Sequence, residues 1–177
     1  MSFSFFQKKQ YFCFVFLILM LLIGFGCKST KEKPSKLLNV VSTIGMIHDV
    51  VVEIAGDKVN SVALMGPGVD PHLFKASERH VHLLANADVI FYNGLHLEAK
   101  LADVLKDMSS RSTVVAVTDS INKDKLRMPK EFEGYYDPHV WFDVRLWILV
   151  TNLIEETLIQ QDPKHKEVYQ NNANRYR

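Results

Sequence analysis

An α/β fold is predicted: a four-stranded parallel sheet with helices on both faces. Three observations predict it. Four short runs rich in β-branched residues recur along the chain. Segments with helical spacing of apolar residues stand between them. Gly, Pro and Asn-Gly punctuation separates the two kinds. Strands that alternate with helices imply βαβ units, whose sheet is parallel and buried on both sides.

The elements follow in order. Leu37 to Thr43 reads as the first strand. Thr43 is placed to cap a helix over Met46 to Ala55, with Ile47, Val50, Val51 and Ile54 on one face and Gly56-Asp57 closing it. Val59 to Met65 is the second strand, ended by Gly66-Pro67-Gly68. A short helix is expected over Glu78 to Asn86 and a third strand over Asp88 to Tyr92, stopped by Asn93-Gly94. Glu98 to Met108 carries Leu101, Val104, Leu105 and Met108 on one face, and Thr113 to Val117 is the fourth strand. Residues 120–136 have no strong period and read as a loop. Asp143 to Gln160 is strongly helical, Asp162-Pro163 breaks it, and Pro163 suits the first turn of another helix over Lys164 to Arg177. That last segment is rich in Asn and Gln and poor in apolar residues, so little burial is expected of it alone.

The first 26 residues differ from the rest. Lys8 and Lys9 precede an uncharged apolar run, and Gly26-Cys27 leads into an abruptly polar stretch, the order of a secretory signal. The apolar run is about 15 residues, shorter than the roughly 20 that span a bilayer. A Cys after a small residue at this point is similar to a bacterial lipoprotein cleavage site, which makes Cys27 the expected lipidated residue. Gly24 departs from the Leu usual three positions earlier. Residues 27–36 then form a tether, residues 37–162 one lobe, and residues 163–177 a further helix. The whole chain has a formal charge of +1, and loss of two lysines with the signal leaves −1. No basic block stands out, which excludes a nucleic-acid partner, and Cys13 lies in the segment removed, so no disulfide is expected.

The chemistry concentrates in two copies of one tripeptide, Asp70-Pro71-His72 and Asp137-Pro138-His139. The first follows strand two and the second follows strand four, so both loops leave the carboxyl edge of the sheet, where such folds bind ligands. Pro fixes its own φ and drives the preceding Asp toward extended geometry, so each His stands on a stiff stem. Neutral imidazole is a ligand for Zn, Mn and Fe, and two preset imidazoles make half a site. Asp70 and Asp137 either orient their histidines or cap the turns. Asp143 suits a helix N-terminus, and Glu98 suits either the cleft or a helix first turn. His96, after the Asn-Gly turn, is a candidate supporting residue behind the ligands. His48, on the first helix, reads as facing solvent or a helix neighbour, and His165 reads as exposed. His80 and His82 do not share a helix face, and Trp141 and Trp147 read as core or cleft wall.

Ser42 to Asp49, Ala55-Gly-Asp, Leu64 to Phe74, Asn86 to Glu98 and Asp137 to Val144 together resemble the zinc/manganese substrate-binding lipoproteins of bacterial ABC importers, nearest their TroA-like branch. The resemblance runs from about residue 38 to the end. It implies a metal-ion carrier rather than an enzyme: a protein exported to the cell envelope, held at the membrane by its N-terminal lipid, monomeric, and handing a divalent Zn or Mn (or Fe) ion to a membrane permease. It also implies that His72 and His139 coordinate the ion. Two further ligands would come from a second lobe, reached by a long helix that begins near Pro163. Phe74 stands where the family often has Tyr. Residues 120–136 contain no His, which disfavours the zinc-specific members with a His-rich loop. A surface-adhesin role and a remnant without metal function are the alternatives within the family. A zinc hydrolase is disfavoured because no His-Glu-x-x-His is present.

Overall fold

The computed structural model describes residues 36–177. The expectations for the signal segment, Cys27 and most of the tether lie outside the described residues.

Among the described residues, nine strands and α-helices follow in chain order: β1 (Leu38–Ser42), α1 (Gly45–Ala55), β2 (Val59–Ala63), α2 (Glu78–Ala85), β3 (Val89–Tyr92), α3 (Ala102–Met108), β4 (Thr113–Ala116), α4 (Val144–Gln161) and α5 (Lys166–Tyr176). The four strands form one sheet in the order β2-β1-β3-β4, with every pairing parallel. The predicted fold class is therefore the observed one. The chain leaves β1 toward β2 and then returns across it to β3. Right-handed crossovers consequently put α1 on one face and α2 and α3 on the other. The reversal opens a crevice between the carboxyl ends of β1 and β3, the topological switch point of such sheets.

The core is built from the faces the apolar spacing marks. Ile47, Val50, Val51 and Ile54 of α1 are buried, with Val40 and Val41 of β1, Val89, Ile90 and Phe91 of β3, and Val150, Ile154 and Leu158 of α4. A fully buried side chain of this size contributes about 1.5–3 kcal/mol.

Several local expectations change. Thr43 does not cap α1. Ile44 occupies the N-cap position with no side-chain bond, and the Thr43 hydroxyl is used elsewhere. The helix expected from Glu98 begins as a 3-10 turn at Ala99–Leu101 and becomes α-helical only over Ala102–Met108. The loop over 120–136 is tightened by two 3-10 turns, Lys123–Lys125 and Lys130–Phe132. Asp143 does cap its helix: its Oδ1 accepts the Arg145 backbone N–H at 2.9 Å.

The final segment is buried through its neighbours. Pro163–His165 form a 3-10 turn, and α5 then packs on α1 and α4 with Tyr169 and Ala173 fully buried. Its polar residues find specific partners. Asn172 donates to the Ile54 carbonyl at the end of α1 at 2.9 Å, and Tyr169 donates its hydroxyl to Asp162 at 2.7 Å. His165, expected on the surface, is half-buried, with Nδ1 2.7 Å from the same carboxylate. Partial burial pushes the Asp162 carboxyl up. Bonds from His165 and Tyr169 and the nearby Lys164 charge outweigh that and hold it below its ordinary value.

Candidate metal-binding site

The two Asp-Pro-His tripeptides meet. His72 comes from the loop after β2 and His139 from the loop after β4. Their Nε2 atoms lie 3.4 Å apart, with ring centroids separated by 5.4 Å. Sixty-seven residues of chain separate them, and the parallel sheet closes that gap by placing both loops on its carboxyl edge.

The two stems are alike in backbone and unlike in side chain. Each Asp Oδ1 accepts the backbone N–H of its own His, at 2.9 Å for Asp70 and 3.0 Å for Asp137, a turn-closing bond of the Asx type. Asp137 does more, because the same Oδ1 lies 2.7 Å from His139 Nδ1. That contact places the proton on Nδ1 and leaves the Nε2 lone pair directed at His72. Asp70 makes no such contact with its ring. Partial burial pushes the Asp137 carboxyl up. The His139 backbone and ring donors, with Arg127 nearby, more than reverse this and keep it below its ordinary value. Trp141 packs edge-on against His139 at 5.2 Å, as a wall of the site.

Two bonds of about 2.0–2.1 Å meeting at a tetrahedral zinc ion place their nitrogens about 3.3–3.4 Å apart. The observed 3.4 Å therefore matches one edge of a metal tetrahedron. It equally suits an N–H···N hydrogen bond between the rings without an ion. Among the described residues, no group of three or more His, Cys, Asp or Glu side chains is placed to hold an ion, so the pair supplies two donors.

The family described as "Zinc-uptake complex component A periplasmic" matches residues 40–177. This chain belongs to that family. The manganese-binding lipoprotein MntA of Bacillus subtilis (strain 168) is 40% identical over 156 residues, 88% of this chain and 51% of MntA. The zinc-binding protein TroA of Treponema pallidum (strain Nichols) is 43% identical over 159 residues, 88% of this chain and 50% of TroA. The solved structure of that TroA superposes with a TM-score of 0.76 over 79% of this chain and 50% of its own. The iron ABC transporter substrate-binding lipoprotein MtsA of Streptococcus pyogenes serotype M6 is 35% identical over 96% of this chain and 56% of MtsA. The chain thus spans about half the length of the curated relatives it matches.

Of the other sequence candidates, His96 lies with His72 in an opening of about 270 Å³, yet its ring stacks edge-on against Tyr135 at 4.7 Å and bonds to neither histidine of the pair. His80 closes a capping box with Ser77, whose backbone N–H donates to His80 Nδ1 at 3.1 Å, and His82 sits beside Asn86. His48 is half-buried on α1 with its Nε2 enclosed, the packed one of its two expected settings. Trp147 donates to the Tyr176 hydroxyl at 3.4 Å.

Sequence reasoning missed the polar knot that fills the switch-point crevice. Glu98 stands at the N-cap of the 3-10 turn Ala99–Leu101 and turns its side chain into the cleft, one of the two places expected of it. It is 4% exposed, and its carboxylate accepts from the Thr43 hydroxyl at 2.6 Å and from the backbone N–H groups of Asn93 and Gly94 at 2.8 and 3.2 Å. Burial pushes its carboxyl above the ordinary value, against the pull of these three donors. The Asn93-Gly94 turn followed by a Glu is the only local trace of this arrangement.

Proposed function

We propose that this chain captures a divalent transition-metal ion outside the cytoplasm for an ABC importer, with His72 and His139 as imidazole donors. The observation that carries the reading is the 3.4 Å separation of the two Nε2 atoms, at the edge of the sheet where α/β folds bind ligands. Asp137 prepares His139 for the role by holding Nδ1.

Relatives named for manganese, zinc and iron match this chain in sequence, and two imidazoles suit all three ions. The class of cargo is therefore the divalent first-row metals. Two donors leave such an ion largely hydrated, so residues 36–177 carry half a site. We place the remaining donors in the family's second lobe, reached through the helix that follows Pro163. The names of MntA and MtsA as lipoproteins support Cys27 as the membrane anchor, and the name of MtsA as an ABC transporter substrate-binding protein supports a permease as the recipient of the ion.

Calorimetry with Zn²⁺ and Mn²⁺ on the 177-residue chain tests this. Weak binding that disappears in both His72→Ala and His139→Ala is expected. Binding indifferent to either substitution removes the histidines from the site, and submicromolar binding by this chain refutes the half-site. Incorporation of labelled palmitate into a Cys27→Ala variant would sink the anchor.

A further inference from the structure

We propose that Asn93 is a positioning residue for the ion: its buried side-chain amide sets the Pro138–His139 peptide and thereby aims His139 at His72. The proposal rests on the reading of His139 as a ligand. Asn93 is fully buried at the carboxyl end of β3, and its Nδ2 donates to the Pro138 carbonyl at 3.0 Å, across 45 residues of chain. Nδ2 also faces the Gly94 carbonyl at 3.2 Å. Both partners are acceptors, so the amide has one orientation, nitrogen toward Pro138. Its Oδ1 is buried with no partner among the described residues, so this side chain is used for its donors.

The Pro138 carbonyl belongs to the peptide that leads into His139, and that peptide is gripped on both sides. Its N–H goes to Asp137 Oδ1 and its C=O accepts from Asn93. The same carbonyl takes the Val140 N–H at 2.9 Å, and His139, at φ −83° and ψ 49°, sits at the centre of the resulting inverse γ-turn. That single bond is the turn's whole internal support, so an external donor to the same carbonyl sets the tilt of its central residue.

Asn93 is in turn immobilised through its backbone. Its N–H goes to Glu98 Oε1, and its carbonyl accepts from the Thr118 hydroxyl at 2.7 Å and the Thr118 N–H at 3.2 Å. Glu98 ties the same oxygen to Thr43 at the end of β1. A chain of buried hydrogen bonds therefore runs from β1 across the switch point to β3, and from Asn93 to the loop that carries His139. His72 has no equivalent tie, so Asn93 acts on one of the two donors.

Cu²⁺ added alone to the 177-residue chain, read by pulsed electron paramagnetic resonance, counts the imidazoles on the ion. Wild type should show two. Asn93→Ala and the near-isosteric Asn93→Leu, each checked for native circular dichroism and a cooperative melt, should show one and bind about 10–100-fold more weakly. Asn93→Leu guards against a cavity in the Ala variant, since it fills nearly the same volume, keeps the backbone bonds of the knot and removes the Nδ2 donors to Pro138 and Gly94. Thr118→Val loosens the same knot without touching Pro138 and should keep two imidazoles. Two imidazoles at unchanged affinity in a folded Asn93 variant overturn the proposal. So does loss of one imidazole in Thr118→Val, which would mean general loosening. A single imidazole in wild type overturns the two-histidine site itself, an outcome distinct from either.

Discussion

The asymmetry between the two tripeptides makes the most discriminating prediction. Asp137→Ala removes the carboxylate that lies 2.7 Å from His139 Nδ1 and 3.0 Å from its backbone nitrogen. Both ring tautomers then become available, and those with the proton on Nε2 cannot bind an ion there. Loss of such a supporting carboxylate weakens metal affinity by about 10–100-fold, which is about 1.4–2.7 kcal/mol. Asp137→Asn keeps an acceptor but not its charge. A neutral hydrogen bond has roughly half the strength of a charge-assisted one, so its loss should fall at the low end of that range. Asp70→Ala is the internal control. Asp70 touches only the His72 backbone N–H, at 2.9 Å, and leaves that ring alone, so affinity should stay near wild type. Competition titration with Zn²⁺ at one fixed pH measures all three. Equal losses for Asp70→Ala and Asp137→Ala would show that both aspartates act only as turn caps. Unchanged affinity in Asp137→Ala would refute the orienting role outright.

Two predictions concern the scaffold. Gly94 has φ +88°, and a Cβ there would lie 2.7 Å from Thr118 Oγ1 and 3.2 Å from the Ala116 Cβ. Gly94→Ala should lower stability by about 1–3 kcal/mol in urea unfolding, and a cost within error would mean that the knot around Asn93 is slack. Asp162→Asn removes the charge that binds His165 and Tyr169, both at 2.7 Å, and should cost about 2 kcal/mol. The folded-state value of Asp162 is depressed, so its contribution is present above the unfolded value of 3.8 and is lost as pH falls through the lower folded value. Wild type and Asp162→Asn should therefore differ at pH 6 and converge in acid. A gap that persists at the lowest pH at which both remain folded would assign the effect to packing.

Much of this protein was legible locally. Strand and helix positions followed from β-branched runs and apolar spacing because those patterns repeat over a few residues, as in α1, whose buried face is Ile47, Val50, Val51 and Ile54. The switch of loops to one sheet edge followed from the parallel connection rule. Two Asp-Pro-His tripeptides on that edge were enough to bring His72 and His139 into one neighbourhood. Local reading failed where a side chain had both a nearby and a distant partner. Thr43 fits a helix N-cap and Glu98 either a helix first turn or the cleft, and neither local pattern pairs the two across 55 residues, where the switch-point crevice would otherwise bury unpaired backbone donors. α5 promises little burial alone, and only the rest of the fold supplies the partners of its Asn172 and Tyr169.

The sequence by itself determined the residue types, the stiffness of the two proline stems and the sheet edge on which they stand, since each depends on short-range chemistry. Only the tertiary structure decided the 3.4 Å between the rings, the different tasks of Asp70 and Asp137, and the buried hold of Asn93 on Pro138. Those depend on how loops separated by tens of residues are brought to rest against one another, and no local pattern encodes that distance.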